Sequence, residues 1–271
     1  MLITSRDNQR IKHLSRLLSS RKERSKSCEF VVEGMRGCAD ALVSCVLYGQ
    51  LAVNALYYVP EAANAYDGGK LNDLIGRLPA EKRFEITAEI AAKISSADTS
   101  QGIYVVAEFL DKTFCAEAVK PGGRYIVLDN LQDPGNLGTV IRTADAVGID
   151  GIVLTGNCVD LYNPKTVRSA VGSLPRVSVF VENDRDKVFE AFAQHKIQTA
   201  AAVISSGENV VGFDFSGGCA VFIGNEGNGL ESETASRCDK RITISMRGNI
   251  DSLNAATAAA ILLWEMTRGE R

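Results

Sequence analysis

The chain has 271 residues, of which 45% are hydrophobic and 23% are charged, and this composition is typical of a globular protein with one large domain or two smaller ones. No apolar run approaches the roughly 18 residues that a membrane-spanning helix needs, so we expect no membrane partner. The net charge of −3 argues against a protein that coats nucleic acid by bulk electrostatics.

The first 26 residues depart from this average, because they hold eight basic residues against two acidic ones and the other residues together carry a charge of −9. The basic residues are Arg6, Arg10, Lys12, Arg16, Arg21, Lys22, Arg24 and Lys26. Apolar residues between Ile11 and Leu18 recur at intervals of three and four, which predicts an amphipathic basic helix over residues 8–26. Such a helix presents either a solvated charged face or a surface that follows RNA phosphates. An organelle transit peptide has a similar composition, but this segment leads directly into the strand-like run EFVVEG.

Residues 28–110 show short alternating patterns that predict a small α/β domain. Strands are predicted at 30–33, 56–59 and 103–109, and helices at 36–47 and near 71–78. The following segment lacks clean periodicity and ends in Pro-Gly-Gly, which is typical of a linker. We therefore expect an amino-terminal domain (1–110), a linker (111–123) and a carboxyl-terminal domain (124–271).

The carboxyl-terminal domain alternates predicted strands and helices with some regularity. Strands are predicted at 125–128, 151–154, 177–181, 199–204, 220–223 and 241–245. Helices are predicted at 137–147, 165–171, 186–196, 230–237 and 252–267. Alternation of this kind predicts an α/β fold whose parallel sheet is covered by helices on both faces. Ligands bind at the carboxyl ends of the strands of such a sheet, so the loops there are the first candidate site.

The seven cysteines include no CxxC pair and are odd in number, so neither a disulfide framework nor a zinc site fits the sequence. We interpret them as small core residues of a protein in a reducing compartment, such as the cytoplasm. His13 and His195 lie far apart in polar segments with helical spacing, and we predict that they are surface residues. We expect no metal.

Common nucleotide-binding and hydrolytic motifs are missing from the sequence. There is no GxxxxGK[ST], and Gly224, Gly227 and Gly229 have the spacing GxxGxG, which differs from the dinucleotide fingerprint. Neither a GxSxG sequence nor a metal-binding cluster occurs. These observations count against an ATPase, a dehydrogenase and a hydrolase.

Polar residues concentrate instead in three loops that each follow a predicted strand, at 130–136, 224–230 and 246–254. With the helix after the first loop they contain Asn136, Arg142, Glu226, Ser252 and Asn254. Taken alone, Asn136 and Ser252 could be helix caps, because their side chains accept from exposed backbone N–H groups. Glu226 could be a turn residue and Arg142 a charge on a helix surface. Asn254 is harder to explain in this way, since asparagine is a mediocre helix former beside the run AATAAAILL.

Taken together, these segments resemble the three motifs of the SpoU/TrmH family of RNA ribose 2'-O-methyltransferases, in the SPOUT class. NLGTVIRTADAVG is similar to the first motif, VFIGNEGNGL to the second and ISMRGNIDSLNAATAAAILLWE to the third. The resemblance continues through NPKTVRSAVGSLPRV. It also reaches the amino terminus, where the basic arm and the following strand and helix are similar to the family's L30e-like substrate-binding domain.

The resemblance implies a parallel-sheet SPOUT fold with a deep carboxyl-terminal trefoil knot, preceded by a small L30e-like α/β domain, and a homodimer through the knotted domain. It implies S-adenosylmethionine as the cofactor, held by Gly224, Asn225, Gly229, Ile244, Met246 and Leu253. The implied catalytic residues are Asn136, Arg142, Glu226, Ser252 and Asn254. The candidate RNA-binding residues of the arm are Arg10, Lys12, Arg21, Lys22 and Arg24. Ribosomal RNA of the 23S type is favoured as the partner by analogy with enzymes that have this domain arrangement.

Family proposals assign Arg142 to activation of the ribose hydroxyl. A guanidinium has no acceptor and a pKa above about 12, so we interpret Arg142 as a phosphate anchor that orients the nucleotide. A neighbouring phosphate oxygen could then accept the proton. The alternatives are a transfer RNA 2'-O-methyltransferase, a non-catalytic RNA-binding or assembly factor with this fold, and a small-molecule enzyme with a doubly wound sheet.

Overall fold

The computed structural model describes residues 1–270, which form two compact units. Unit one comprises residues 1–110 and 160–176, and unit two comprises residues 111–159 and those from 177 onward. The predicted boundary at residue 110 is also a boundary of these units. Residues 160–176 belong to unit one although the motif pattern groups them with the carboxyl-terminal domain. The division into a substrate-binding range and a methyltransferase range therefore stays a prediction about function.

The strands in chain order are β1 (Leu2–Ile3), β2 (Glu29–Glu33), β3 (Val53–Tyr58), β4 (Arg83–Ile86), β5 (Ile103–Glu108), β6 (Lys112–Thr113), β7 (Arg124–Asp129), β8 (Gly151–Thr155), β9 (Val179–Val181), β10 (Gln198–Ala202), β11 (Glu208–Asn209), β12 (Cys219–Ile223) and β13 (Lys240–Thr243). The helices are α1 (Gln9–Ser19), α2 (Arg21–Ser27), α3 (Met35–Val46), α4 (Pro60–Ala65), α5 (Lys70–Arg77), α6 (Ala88–Ile94), α7 (Pro134–Val147), α8 (Pro164–Ser169), α9 (Arg185–Gln194), α10 (Ser232–Arg237) and α11 (Ala255–Thr267). Single 3₁₀ turns lie at Asp67–Gly69, Ala80–Lys82, Ala116–Ala118, Leu174–Arg176 and Arg268–Glu270.

Unit one is built on a sheet with the strand order β1-β4-β3-β5-β2. β5 runs antiparallel to both β3 and β2, whereas β1 and β3 run parallel to β4. Buried side chains of α1, such as Leu14 and Leu17, share one hydrophobic cluster with Tyr57 of β3 and Phe84 of β4. The three predicted strands are confirmed as β2, β3 and β5.

The single basic helix predicted over residues 8–26 is wrong, because the chain forms two helices that meet at Ser20. The backbone of Ser20 is extended (φ −129°, ψ 115°), which ends α1. Its hydroxyl then accepts from the N–H of Glu23 and caps α2. The helical spacing of apolar residues ends at Leu18, so this pattern could not predict that one helix stops at Ser19 and another begins at Arg21.

Unit two is built on an eight-stranded sheet with the order β11-β13-β10-β12-β7-β8-β9-β6, in which every observed pairing is parallel. The prediction of a parallel α/β sheet is thus confirmed. The central strand β12 is buried along its whole length, and β7 is buried from Tyr125 to Asp129, as their apolar runs predict. An aromatic cluster that includes Tyr125, Phe192 and Phe222 fills the core.

Two helix starts in unit two differ from the predicted ones, and both changes alter the site. α7 begins at Pro134 with Asp133 as its N-cap, whose carboxylate accepts from the N–H of Asn136. Asn136 is therefore not the cap. α11 begins at Ala255 with Asn254 as its N-cap, so the capping role suggested for Ser252 is also wrong.

The last helix returns across the sheet after β13. α11 packs against α7 and also contacts β12 and β7, near the middle of the sheet. This path is compatible with the threaded carboxyl terminus that the resemblance implies. It also brings the third motif to the loops that follow β7 and β12.

Candidate functional site

A chain of hydrogen bonds joins the three motifs at the carboxyl edge of the unit-two sheet. The side-chain amide of Asn136 donates to Oε1 of Glu226 at 3.0 Å. The amide of Asn254 donates to Oδ1 of Asn136, also at 3.0 Å. One residue from each motif therefore takes part, and we call this the Glu226–Asn136–Asn254 network.

Glu226 is the acceptor at one end of the network. Its carboxylate also accepts from the backbone N–H groups of Gln132 (3.1 Å) and Asp133 (3.0 Å). Partial burial opposes ionisation of the carboxyl. The hydrogen bonds from Asn136 and from these backbone groups outweigh that effect and lower the pKa of Glu226. An ionised Glu226 thus holds residues 130–136, the first-motif loop, in place at neutral pH.

Asn254 uses both ends of its amide. Its Oδ1 caps α11 by accepting from the N–H groups of Ala256 (2.9 Å) and Thr257 (3.3 Å). This leaves its Nδ2 to donate to Asn136, whose own Nδ2 donates onward to Glu226. Asparagine suits both positions because its amide supplies a donor and an acceptor a short distance apart.

Arg142 lies on the exposed face of α7, almost two turns beyond Asn136. Its guanidinium makes no hydrogen bond or ion pair with another residue in the described part of the chain. The structure therefore does not bring Arg142 into the Glu226–Asn136–Asn254 network. Its guanidinium is free to contact a bound anion.

An open pocket adjoins the network and holds about 900 Å³ of empty space, with the solvent at its mouth included. All six residues predicted to hold the cofactor line it, together with Glu226 and Ser252. These six are Gly224, Asn225, Gly229, Ile244, Met246 and Leu253. We call this cavity the edge pocket.

The edge pocket is shaped by residues 224–230, which we call the edge-pocket loop and whose two ends cross closely. The backbones of Asn225 and Gly229 exchange hydrogen bonds of 3.0 and 2.9 Å. A Cβ atom on Gly224 would lie 2.2 Å from the carbonyl of Gly229 and from the N atom of Leu230, so only glycine fits there. Much of the wall is consequently backbone, which a flat nucleoside can approach closely.

Some residues of the edge pocket were not predicted from the sequence. Asp251 lines it and, with Glu226, makes the charged part of the lining acidic, which suits a ligand that carries a positive charge. Residues 202–204 at the end of β10 also line it. The position of β10 beside β12 could have suggested them, but only once the strand order was known.

In unit one the candidate RNA-binding residues have different environments. Arg21 and Lys22 are exposed, and Lys12 pairs with Asp7 at 2.9 Å. The guanidinium of Arg10 stacks over the ring of Phe84, 4.4 Å from its centroid.

The prediction that Arg24 contacts RNA is wrong. Arg24 is only 4% exposed. Its guanidinium donates to Asp160 at 2.5 and 3.1 Å and to the carbonyl of Leu17 at 2.6 Å. Because the guanidinium is hydrogen-bonded to other residues of unit one, Arg24 stabilises the unit and is not available to contact a phosphate.

A basic groove that the sequence did not reveal lies between α1 and α6. Its charged lining residues are Arg6, Lys12, Arg16 and Lys93. Lys93 is remote in sequence from the basic arm, which is why the charge pattern of the arm did not include it.

Residues 1–270 contain neither a candidate metal site nor a candidate membrane span. Across these residues no group of three or more His, Cys, Asp or Glu side chains is placed to hold a metal ion. No helix in the same stretch has both the length and the apolar character needed to cross a bilayer.

Comparison with known proteins gives a consistent result over the whole chain. The model of the SpoU rRNA Methylase family matches residues 123–264, and that of the MRM3-like substrate binding domain matches residues 8–105. The chain is 29% identical to the 23S rRNA (guanosine(2553)-2'-O)-methyltransferase RlmP of Bacillus subtilis, covering 97% of this chain and 98% of that protein. It is 32% identical to the 23S rRNA (uridine(2479)-2'-O)-methyltransferase of Streptomyces viridochromogenes, covering 98% and 91%. The solved structure of an AdoMet-bound rRNA methyltransferase from Sinorhizobium meliloti superposes with a TM-score of 0.81 at 27% identity, covering 100% of this chain and 98% of that one.

Proposed function

We propose, from the premise that this chain belongs to the SpoU rRNA methylase family, that it methylates a ribose 2'-hydroxyl of RNA with S-adenosylmethionine as the methyl donor. The observation that carries the proposal is the Glu226–Asn136–Asn254 network, which joins all three motifs beside the edge pocket. A network of this kind would fix the reacting groups relative to one another, which is the main requirement of a methyl transfer.

The substrate that we favour is ribosomal RNA of the 23S type. Two relatives that align with more than nine-tenths of this chain are named as 23S rRNA 2'-O-methyltransferases. The match of residues 8–105 to a substrate-binding domain supports an RNA partner for the amino-terminal region. We expect that region to bind the RNA and the motifs of unit two to carry out the reaction.

The residues of the edge pocket fit the cofactor. Its close-packed glycine loop offers backbone groups to an adenosine, and its acidic lining suits a cationic sulfonium compound. When bound, S-adenosylmethionine supplies an electrophilic methyl group on a good leaving group. Gly224, Asn225, Gly229, Ile244, Met246 and Leu253 are proposed to hold it.

The chain's own polar groups then have separate tasks. Glu226, ionised at neutral pH, holds the loop that leads into α7. Asn136 and Asn254 tie that loop to the start of α11, and we propose that they and Ser252, which lines the edge pocket, place the ribose beside the cofactor.

Arg142 is proposed as the anchor of a phosphate next to the target ribose. Its guanidinium is exposed and without a partner in the described residues, and it can donate two parallel hydrogen bonds to a phosphate. Because it has no acceptor, it does not itself take the proton of the 2'-hydroxyl. A positive charge near that hydroxyl favours its ionised form, and a phosphate oxygen can accept the proton.

We propose that the RNA-binding surface of unit one consists of Arg10, Lys12, Arg21 and Lys22 together with the basic groove between α1 and α6. Lysine and arginine side chains that follow a phosphate backbone give salt-dependent binding with little sequence preference. This surface would add affinity, while the site in unit two would select the nucleotide.

We further propose a homodimer formed through unit two, and activity in the cytoplasm. Trp264 on α11 is 46% exposed, an apolar surface that a second copy would cover. The seven cysteines are all free, which suits a reducing compartment. Light scattering at two protein concentrations tests the dimer.

The proposed function is tested by incubating the full chain with radiolabelled S-adenosylmethionine and with separate unmodified ribosomal and transfer RNA. We expect label in large-subunit ribosomal RNA. Label in transfer RNA alone would replace the substrate but keep the reaction. The absence of label in every RNA, with the cofactor bound, would favour a non-catalytic RNA-binding factor.

A further inference from the structure

Asn130 is the first residue after β7, and each of its polar groups has a partner in unit two. Its backbone N–H donates to the carbonyl of Thr155 at 3.1 Å. Its side-chain oxygen accepts from the N–H of Asn157 at 2.7 Å, and its Nδ2 donates to Glu231 at 3.1 Å. Its carbonyl accepts from the side-chain amides of Gln132 (3.0 Å) and Asn225 (3.1 Å).

These partners belong to different parts of the site. Gln132 precedes α7 in the first-motif loop, and its own N–H donates to Glu226. Asn225 opens the loop that lines the edge pocket, where its Oδ1 accepts from the N–H of Gly227 at 2.7 Å. Asn157 lies in the turn after β8. Asn130, the first residue of the first-motif loop, therefore bonds to Gln132 within that loop, to Asn225 of the loop that lines the edge pocket, and to the turn that follows the neighbouring strand.

A partly buried ion pair between Asp129 and Arg185 lies beside Asn130. Asp129, 1% exposed, accepts from Nε and Nη2 of Arg185 at 2.9 to 3.1 Å. Burial raises the pKa of Asp129, and the guanidinium of Arg185 opposes that effect. Nη2 of Arg185 also donates to Glu231 at 3.1 Å, to the same oxygen that accepts from Asn130. Glu231 directly follows the edge-pocket loop, so this cluster fixes the far end of that loop.

The position places two demands on the residue, and asparagine meets both. Asn130 has φ +58°, in the left-handed region that asparagine tolerates better than most side chains. The side chain must also accept from Asn157 on one side and donate to Glu231 on the other. Aspartate lacks the donor, and glycine lacks the side chain.

We propose that Asn130 is a positioning residue for the cofactor, because it holds the edge-pocket loop and the first-motif loop in register through Glu231, Asn225 and Gln132. The inference rests on the proposed function in one respect, namely that S-adenosylmethionine occupies the edge pocket. Asn130 itself does not line that pocket and acts through the loops that do.

The test exchanges the donor and the acceptor of the hydrogen bond between Asn130 and Glu231. The quantity measured is the Kd for S-adenosylmethionine, by calorimetry on the full chain. Asn130→Asp keeps the acceptor for Asn157 but places a carboxylate against Glu231. We expect its Kd at pH 8 to be about tenfold weaker than that of the unmodified protein. We expect a smaller defect at pH 5.5, because two adjacent carboxylates then share a proton. Asp129, Arg185 and Glu231 are the charged groups that face this position.

The double variant Asn130→Asp/Glu231→Gln restores the hydrogen bond with donor and acceptor exchanged, since the glutamine amide can donate to the new carboxylate. We expect its Kd to return to within about threefold of the unmodified protein at pH 8, with little dependence on pH. Asn183→Asp adds the same charge on an exposed loop of unit two and should leave the Kd unchanged.

Two outcomes would overturn the inference. One is a Kd for Asn130→Asp equal to that of the unmodified protein. The other is a double variant whose unfolding temperature recovers while its Kd does not. If the unmodified protein itself fails to bind S-adenosylmethionine, the proposed function fails and this inference fails with it, so the two failures are distinguished by the unmodified sample.

Discussion

The side-chain amide of Asn254 donates to Oδ1 of Asn136 at 3.0 Å, and this bond joins residues that are 118 positions apart in the chain. It connects the cap of the last helix to the first turn of α7. The third motif thereby becomes part of the same hydrogen-bond network as Glu226.

This relationship separates the structural role of Asn254 from its role in the site. Asn254→Asp keeps the oxygen that caps α11 but loses the donor to Asn136. We expect its free energy of unfolding to lie within about 0.5 kcal/mol of that of the unmodified protein, and its rate of methyl transfer to fall about tenfold or more. Asn254→Ala loses the cap as well, so we expect its free energy of unfolding to fall by about a further 1 kcal/mol. If the aspartate variant is fully active, Asn254 is only a helix cap.

Glu226 gives the network a dependence on pH. Hydrogen bonds hold its pKa below the ordinary value of 4.5, so its ionised form contributes stability that is complete above pH 4.5 and is lost as the pH falls through the lowered pKa. We expect Glu226→Gln to be less stable than the unmodified protein at pH 7. That difference should shrink on acidification, as measured by urea unfolding at several pH values. A difference that stays constant with pH would show that the charge of Glu226 is not what stabilises the loop.

Arg142 is expected to matter for the reaction and not for the cofactor. Arg142→Ala should lower the rate of methyl transfer at least about a hundredfold, because the nucleotide loses its anchor. Its Kd for S-adenosylmethionine should be unchanged by calorimetry. Arg142→Lys keeps the charge but loses the two-pronged donor, and we expect intermediate activity. Lys187→Ala, at an exposed cation of α9, is the control, and loss of cofactor binding in Arg142→Ala would refute this separation of roles.

The two kinds of basic residue in the arm should respond differently to substitution. Replacing both Arg21 and Lys22 with Glu should weaken RNA binding and reduce its dependence on salt, with the unfolding temperature unchanged. Arg24→Met should instead destabilise unit one by about 3 kcal/mol, because Asp160 is left without its partner. RNA affinity is measured across a salt series. If the double variant has the same affinity and the same salt dependence as the unmodified protein, the proposed RNA surface is wrong.

Gly224 tests the shape of the edge pocket. The Cβ introduced by Gly224→Ala would collide with the backbone of Gly229, and we expect cofactor affinity to fall more than about tenfold. Gly76→Ala, on the exposed side of α5, is the control, because a Cβ there would meet no atom within 4 Å. Equal affinities in the two variants would mean that the crossing of the loop does not shape the cofactor site.

Much of the sheet could be predicted from local sequence, because buried parallel strands such as β7 and β12 contain apolar runs of four or five residues. The six proposed cofactor residues that line the edge pocket were implied by the motif resemblance, whereas Asp251 and residues 202–204 were not. Long-range partners could not be predicted, since no local pattern shows that Arg24 meets Asp160 or that Asn254 meets Asn136. The predicted starts of α7 and α11 are wrong for the same reason. The residue that caps each helix depends on long-range contacts that hold the preceding loop, and no local pattern shows these contacts.

The central claim is that the chain transfers a methyl group to a ribose 2'-hydroxyl. The most direct measurement is nucleoside mass spectrometry of unmodified 23S-type ribosomal RNA after incubation with the full chain and S-adenosylmethionine. We predict one 2'-O-methylated nucleoside that forms with the unmodified protein and is lost with Arg142→Ala. A methyl group on a base, or no methylated nucleoside although the cofactor binds, would contradict the account.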